Sequence, residues 1–113
     1  MQSYQLFIAV SQTIQIQIGR LGLFSFPKGT YVYTGPAKRN MDTRIKRHLT
    51  KDKKLRWHID YLLTNEQTTI VKVIKTERGE CDSNADVKGK TIVKGFGSSD
   101  CQEDCKSHLK FIG

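Results

Sequence analysis

The stretch Tyr31–His48, which reads YVYTGPAKRNMDTRIKRH, decides the fold because its two halves favour different secondary structures. Tyr31–Thr34 contains only aromatic and β-branched residues, which favour a strand. Gly35-Pro36 then ends the run, as is typical of a turn. The first half of the stretch therefore predicts a strand, Tyr31–Gly35, that leads into a tight turn.

The second half of the stretch predicts a helix, Met41–Lys51, with Asn40 as the residue that caps its start. An apolar side chain recurs every four residues and predicts the buried stripe of this helix, formed by Met41, Ile45 and Leu49. Arg44 and His48 are also four residues apart, so they are expected to share a second face. Strand and helix together would bring a phenol, a guanidinium and an imidazole to the turn.

Upstream of this stretch the sequence alternates in the manner of strands. Tyr4–Val10 predicts one strand, and the strict alternation of Thr13–Gly19 predicts a second with a glutamine face towards water. Ser11-Gln12 suits a short hairpin connection between them. Arg20–Gly29 is expected to be a loop with a short extended piece that folds Phe24 and Phe26 onto the core.

Downstream, helical and extended patterns continue to the end of the chain. They predict a helix at about 56–64, a strand at Thr68–Lys75, a short helix ending near Val87, a short strand at Thr91–Lys94 and a closing strand at His108–Ile112. The order of elements predicts an α/β (α+β) fold. Its central sheet is expected to be small, mainly antiparallel and flanked by helices, and to hold the first three strands.

The length of 113 residues suits a single domain over residues 1–113. No apolar run is long enough for a membrane helix, and the N-terminus lacks the basic lead and cleavage site of a signal peptide. A cytoplasmic location and no membrane partner are therefore expected. The sequence leaves the oligomeric state open.

Almost all of the net charge of +8 comes from one segment, residues 38–56, which contains nine basic residues and two acidic ones. The nine are Lys38, Arg39, Arg44, Lys46, Arg47, Lys51, Lys53, Lys54 and Arg56. Such a cluster is the electrostatic footprint of nucleic-acid binding, and the alternative is a lysine-rich helix that its charge keeps solvated. The side chains predicted to contact nucleic acid are Lys38, Arg39, Lys46, Arg47, Lys53, Lys54 and Arg56.

The sequence resembles the GIY-YIG nuclease superfamily. Tyr33-Thr34-Gly35 matches its second triplet, Tyr4 matches the tyrosine of its first triplet, and Arg44 and Glu80 fall where that superfamily places its arginine and its metal-binding glutamate. Three further stretches resemble one branch, the DUF123 or Uri-type endonucleases, and they are Trp57–Leu63, Glu80-Cys81 and Gly95–Cys101 leading to Ser107–Leu109. The resemblance therefore spans nearly the whole chain.

The chain departs from the superfamily pattern at three positions. Gln2 and Ser3 stand where the first triplet has glycine and isoleucine, and Pro36 stands where several branches place a lysine. These departures bear on the details of catalysis more than on the fold.

The resemblance implies a metal-dependent hydrolysis of phosphodiester bonds in nucleic acid, with DNA as the expected substrate, while the residues themselves leave DNA and RNA both open. Glu80 and water would hold one divalent ion, Mg²⁺ or Mn²⁺, because both ions prefer oxygen ligands. Tyr4 or Tyr33 would position or deprotonate water, and Arg44 would clamp the phosphate. His48 would help with a proton or with the phosphate. These five side chains are expected to line one surface cleft beside the basic segment, whereas Tyr31 is expected to pack on the face opposite Tyr33.

Each of these residues also has an ordinary structural interpretation. The tyrosines can be strand aromatics, Arg44 and His48 surface residues, and Glu80 an acid at a helix N-terminus. His58 and Asp60 are expected to be structural first, and the alternative is that they line the site. Three cysteines and a histidine could close a zinc site, and they are Cys81, Cys101, Cys105 and His108. Cys81 could instead form a disulfide with one of the other two cysteines. In a reducing compartment, buried free thiols are the alternative.

Three functions thus stay open from the sequence. The first is a metal-dependent endonuclease, and the second is a nucleic-acid-binding module that kept the fold and lost the chemistry. The third is a small structural protein that binds metal through its cysteines. Substrate structure and sequence preference are not encoded in any motif of the chain.

Overall fold

The computed structural model describes residues 3–36, 41–51, 53–55, 57–77, 79, 84, 87–93, 96 and 107–113. Within them the fold is α+β, as predicted: a five-stranded antiparallel sheet, a small second sheet and two helices. The large sheet has the strand order β5-β1-β4-β7-β6. Its strands are β1 (Ser3–Val10), β4 (Gly29–Pro36), β5 (Thr68–Thr76), β6 (Lys90–Thr91) and β7 (Leu109–Phe111).

The second sheet is a hairpin of β2 (Ile14–Ile18) and β3 (Gly22–Phe26), joined by a 3-10 turn at Gly19–Leu21. One prediction was therefore wrong. The second strand does not join the central sheet, because β1 pairs with β4 and β5 on its two sides and leaves no edge for it. The short extended piece expected within Arg20–Gly29 is the strand β3, and Phe26 is fully buried while Phe24 packs against the core, as predicted.

The antiparallel register of β1 and β4 determines which side chains share a face. Tyr4 lies opposite Gly35, Leu6 opposite Tyr33, and Ile8 opposite Tyr31. The prediction that Tyr31 and Tyr33 point to opposite faces was wrong, because residues two apart in a strand point to the same side. Tyr31 is nevertheless a packing residue, as expected: it is fully buried, and its hydroxyl donates a hydrogen bond to the carbonyl oxygen of Pro27 at 2.7 Å.

Two helices follow β4 in the chain. Helix α1 spans Met41–Leu49 and helix α2 spans His58–Leu63, close to the predicted bounds. The predicted apolar stripe of α1 is wrong at its last member, since Leu49 is 56% exposed and His48 is buried instead. At 3.6 residues per turn, positions separated by four and then three residues stay on one side, so Met41, Ile45 and His48 form the inner face.

The remaining elements agree with the sequence pattern where they are described. Strands β5 and β7 lie where Thr68–Lys75 and His108–Ile112 predicted strands, and β6 is displaced towards the N-terminus of the strand predicted at Thr91–Lys94. Most of the short helix predicted to end near Val87 lies outside the described residues. Among the helices described, none has the length and apolar character needed to cross a membrane.

Candidate active site

The centre of the candidate site is a hydrogen bond between the first strand and the first helix. The hydroxyl of Tyr4 lies 2.6 Å from Nε2 of His48, and both side chains are buried, with exposed fractions of 1% and 2%. Strand β1 directs Tyr4 to the face that α1 covers, and α1 directs His48 back to the sheet. Two of the predicted site residues thus meet although they are 44 residues apart in sequence.

Gly35 makes room for the phenol of Tyr4. A Cβ atom at this position would lie 2.6 Å from both Cζ and the hydroxyl oxygen of Tyr4, closer than carbon atoms normally approach. Gly35 is the cross-strand partner of Tyr4, so the phenol lies across the space that a larger residue would fill. The glycine of the Tyr33-Thr34-Gly35 triplet therefore has a steric role at the site.

His48 is held in its neutral form. Burial lowers the pKa of its imidazole to about 4, and the nearby cations, first Lys53 and then Arg47 and Arg44, act in the same direction, whereas Asp60 acts against them. Nδ1 of His48 is buried and has no hydrogen-bond partner among the residues that the structure describes. At neutral pH one ring nitrogen donates and the other accepts.

Tyr33 and Trp57 complete the surroundings of His48. The ring of Tyr33, which is 6% exposed, lies edge-on to the imidazole with 6.0 Å between ring centroids. The Trp57 ring lies 5.6 Å from the imidazole, and the guanidinium carbon of Arg44 lies 5.5 Å from the centroid of the Trp57 ring. The structure thus places Tyr4, Tyr33, His48 and Arg44 around one helix face.

The basic residues of the segment 38–56 differ in what they do. Arg47 forms two parallel hydrogen bonds with the carboxylate of Asp60, each 2.8 Å long, and a third with the carbonyl oxygen of Lys54. The ammonium of Lys53 donates to the carbonyl oxygens of Arg47 and His48 at the end of α1, and its side chain is only 6% exposed. Arg47 and Lys53, two of the cations predicted to contact nucleic acid, therefore form contacts within the protein instead.

Lys51, another cation of this segment, also forms hydrogen bonds within the protein. Its ammonium donates to the carbonyl oxygens of Leu63, Asn65 and Thr68, at 2.6–2.8 Å, where α2 ends and β5 begins. Burial lowers the pKa of both Lys51 and Lys53. Lys46 and Lys54 are exposed, and the other predicted contacts, Lys38, Arg39 and Arg56, lie outside the described residues.

The open cleft expected at the site is not formed around Tyr4 and His48, because both side chains are buried. A pocket of about 160 Å³ borders His48; it is lined by Leu49, Lys51, Leu63, Thr68, Thr69 and Ile70 and does not include Tyr4. Glu80, whose approach would complete the cleft, lies outside the described residues.

Most of the residues predicted to bind a structural metal ion also lie outside the described residues. Cys81, Cys101 and Cys105 lie outside the described residues, whereas His108 is described and is 1% exposed. The described part of the chain contains no group of three or more His, Cys, Asp or Glu side chains that could hold a metal ion. The carboxylate of Asp60, whose charge acts on the pKa of His48, is occupied by Arg47.

Sequence reasoning missed Trp57 as a neighbour of the site and left Asp60 as a structural residue. Asp60 accepts a hydrogen bond from the backbone N–H of Trp57 at 2.9 Å, at the start of α2. The spacing of three residues between a helix N-terminus and an acid was the signal that could have found this contact. The proximity of Trp57 to His48 arises from packing of the two helices, which no local pattern encodes.

The chain belongs to a family described as "Domain of unknown function DUF123", whose model matches residues 3–113. The match covers the strands, the helices and all the candidate site residues. Neither a curated protein nor a solved structure matched the chain.

Proposed function

We propose that this protein is a metal-dependent endonuclease of the GIY-YIG type, related to the Uri-type branch, that hydrolyses phosphodiester bonds in nucleic acid, preferably DNA. The observation that carries the proposal is the hydrogen bond between Tyr4 and the neutral imidazole of His48. A phenol, an imidazole and a guanidinium that meet beside a basic surface suit the attack of water on a phosphate. A cytoplasmic location is part of the same proposal.

The Tyr4–His48 pair would position the attacking water. A free phenol has a pKa of about 10 and is a weak base at neutral pH. The hydrogen bond to Nε2 of His48 polarises the Tyr4 hydroxyl, which would make its oxygen a better acceptor for a hydrogen bond from water. Nε2 of the neutral His48 holds the phenol in place for that contact, and the proton of the water would leave to solvent, because burial makes the imidazole a weak base.

The cations of α1 would neutralise the phosphate. Arg44 presents the planar fork that matches phosphate oxygens, one helical turn before His48. The exposed Lys46 and Lys54 extend positive charge along the backbone of a bound nucleic acid. Such contacts depend on phosphate charge and do not distinguish bases.

Glu80 would hold the divalent ion, as the resemblance implies. When bound, an Mg²⁺ or Mn²⁺ ion supplies charge neutralisation and lowers the pKa of a coordinated water. The nitrogen and phenol groups around His48 do not replace Glu80 as a ligand, because both ions prefer carboxylate and water oxygens.

Burial of the pair favours a second candidate function. Tyr4 is 1% exposed and His48 is 2% exposed, so in the described structure the phenol is covered and does not face a phosphate in solution. The departures at Gln2, Ser3 and Pro36 point in the same direction. On this alternative, the protein binds nucleic acid through its basic surface and has no nuclease activity.

Cleavage of a panel of labelled substrates separates the two functions. Single-stranded, duplex and branched DNA and RNA are incubated with wild type and Glu80→Gln, with Mn²⁺ and with a chelator. The proposal expects Mn²⁺-dependent cleavage by wild type and none by Glu80→Gln, with binding retained by both. Glu66→Gln is the matched control, because Glu66 is an exposed glutamate outside the site. Equal cleavage by Glu80→Gln and wild type, or binding without any cleavage, contradicts the proposal.

A further inference from the structure

We infer that Trp57 is a positioning residue for Arg44, and that Asp60 holds Trp57 in place. This inference rests on the proposed function, because it takes Arg44 as the residue that contacts the phosphate. It adds two residues to the site, and it divides the two arginines of α1, Arg44 and Arg47, into one that binds substrate and one that supports it.

Asp60 is the fixed point of the arrangement. Its carboxylate is fully buried, and it accepts hydrogen bonds from both terminal nitrogens of Arg47 and from the backbone N–H of Trp57. Without Arg47 this buried carboxylate would keep only the ammonium of Lys53, 3.9 Å away, as an opposite charge, so Arg47 is not available to a phosphate. The exchange of Arg47 from Asp60 to a substrate would cost far more than a surface contact returns.

Trp57 is consequently held from two sides. Asp60 binds its backbone, and the guanidinium carbon of Arg47 lies 4.4 Å from the centroid of its ring. The face of an indole ring is electronegative and attracts a guanidinium, more so when water is partly excluded. The ring is therefore kept in one orientation by contacts that a bound nucleic acid does not disturb.

Arg44 lies over the same ring at a distance of 5.5 Å. Arg44 and Arg47 are three residues apart on α1, where two like charges repel each other. The indole between α1 and the start of α2 offsets this repulsion and limits the rotamers of Arg44. An arginine that is ordered before binding loses less conformational entropy when it forms its phosphate contacts.

The inference is tested by a double-mutant cycle on binding, measured with a chelator present so that neither metal nor cleavage contributes. The probe is a fluorescently labelled DNA duplex, and its dissociation constant is measured by anisotropy at two salt concentrations. Trp57→Leu is expected to weaken binding by about two- to fivefold, the size of a cation–π contact at a partly exposed site. In an Arg44→Ala background the same substitution is expected to have no effect.

Lys46→Ala provides the matched control background. Lys46 is an exposed cation of the same helix, so Trp57→Leu should weaken binding by the same factor with or without it. Trp57→Phe keeps an aromatic face and should restore part of the lost affinity, which a role in packing alone would not explain. Circular dichroism establishes that each variant is folded; if Trp57→Leu unfolds, the cycle is run with Trp57→Phe, which should show coupling of the same sign.

The outcomes distinguish this inference from the proposed function. If Arg44→Ala binds as tightly as wild type, the role of Arg44 in the proposed function is wrong, and the inference is overturned with it. If Arg44→Ala weakens binding but Trp57→Leu does not, or acts equally in both backgrounds, the inference alone is overturned.

Discussion

The hydroxyl of Tyr4 and Nε2 of His48 lie 2.6 Å apart and are both buried beneath helix α1. This contact joins the first strand to the first helix, and it brings together two groups that the resemblance to GIY-YIG nucleases assigns to the site. Because His48 is buried in this contact, its protonation state affects the stability of the protein as well as the chemistry of the site.

The first prediction concerns acid. His48 has a pKa of about 4 in the folded protein, below the value of about 6.5 for an unfolded chain, so the unfolded state binds more protons between these limits. The contribution of the neutral His48 to the free energy of unfolding is complete above about pH 6.5 and is lost as the pH falls towards 4. The free energy of unfolding should decrease by about 3 kcal/mol over this range, measured by urea unfolding with the single tryptophan as reporter.

Other groups titrate in acid, so the test is the difference between variants. His48→Gln should flatten the pH dependence of the free energy of unfolding relative to wild type. Equal slopes for wild type and His48→Gln would show that His48 is not the group responsible.

The second prediction concerns the space at Gly35. Gly35→Ala places a methyl group 2.6 Å from the phenol of Tyr4, so either the phenol or the strand must move. The free energy of unfolding should fall by about 1–3 kcal/mol, as for other overpacked interiors, and the cleavage activity should fall with it. In Gly79→Ala, by contrast, the added Cβ has no heavy atom within 4 Å beyond its chain neighbours. Similar unfolding curves for the two variants would contradict the steric role of Gly35.

Much of the fold could be predicted from local patterns. The strands β1, β2 and β4 and both helices follow from alternation and helical periodicity, and the meeting of Tyr4 with Gly35 follows once β1 and β4 are paired. Strand β3 is predicted only as a short extended piece within a loop, since Gly22 and the nearby Pro27 favour a loop, whereas its pairing with β2 gives it the backbone hydrogen-bond partners of a strand. The hairpin's separation from the main sheet depends on which strands occupy the edges of β1, and that is a tertiary property.

The site was less accessible to sequence reasoning than the fold. The residues Tyr4, Tyr33, Arg44 and His48 were named, but His48 was expected on a polar face and is instead part of the buried face of α1. The basic segment predicted a binding surface, although three of its cations, Arg47, Lys51 and Lys53, are held by a carboxylate or by carbonyl oxygens. Charge clustering reports where cations are, and it does not report which of them the protein itself uses.

The third prediction follows from the ion pair of Asp60 and Arg47. Asp60→Asn removes the buried negative charge that balances the guanidinium of Arg47. The substitution should lower the free energy of unfolding by about 3–5 kcal/mol. Asp42→Asn is the matched control, because Asp42 pairs with Lys75 at the surface, where loss of an ion pair costs about 0–1 kcal/mol. Chemical denaturation of both variants measures the difference, and comparable losses would contradict the assigned role of Asp60.

The fourth prediction concerns the exposed part of the basic segment. Charge reversal at Lys46 and Lys54 should weaken the binding of all nucleic-acid sequences alike and reduce the dependence of binding on salt, because both residues are exposed. Charge reversal at Arg47 should instead unfold the protein, since Arg47 is paired with a buried carboxylate. Lys28→Glu, in a separate part of the chain, is the control. Unchanged affinity and unchanged salt dependence in the double variant would show that nucleic acid binds elsewhere.

The central claim is that the phenol of Tyr4 takes part in hydrolysis, and its most direct test compares two tyrosine variants in one nicking assay. Tyr4→Phe removes the hydroxyl that contacts His48, and Tyr31→Phe removes a buried hydroxyl on the same sheet face that contacts only the Pro27 carbonyl among the described hydrogen bonds. Tyr4→Phe should nick DNA with Mn²⁺ about 10²–10⁴-fold more slowly than wild type, the usual contribution of a general acid or base. Tyr31→Phe should cleave at the wild-type rate, and equal rates for all three proteins would contradict the claim.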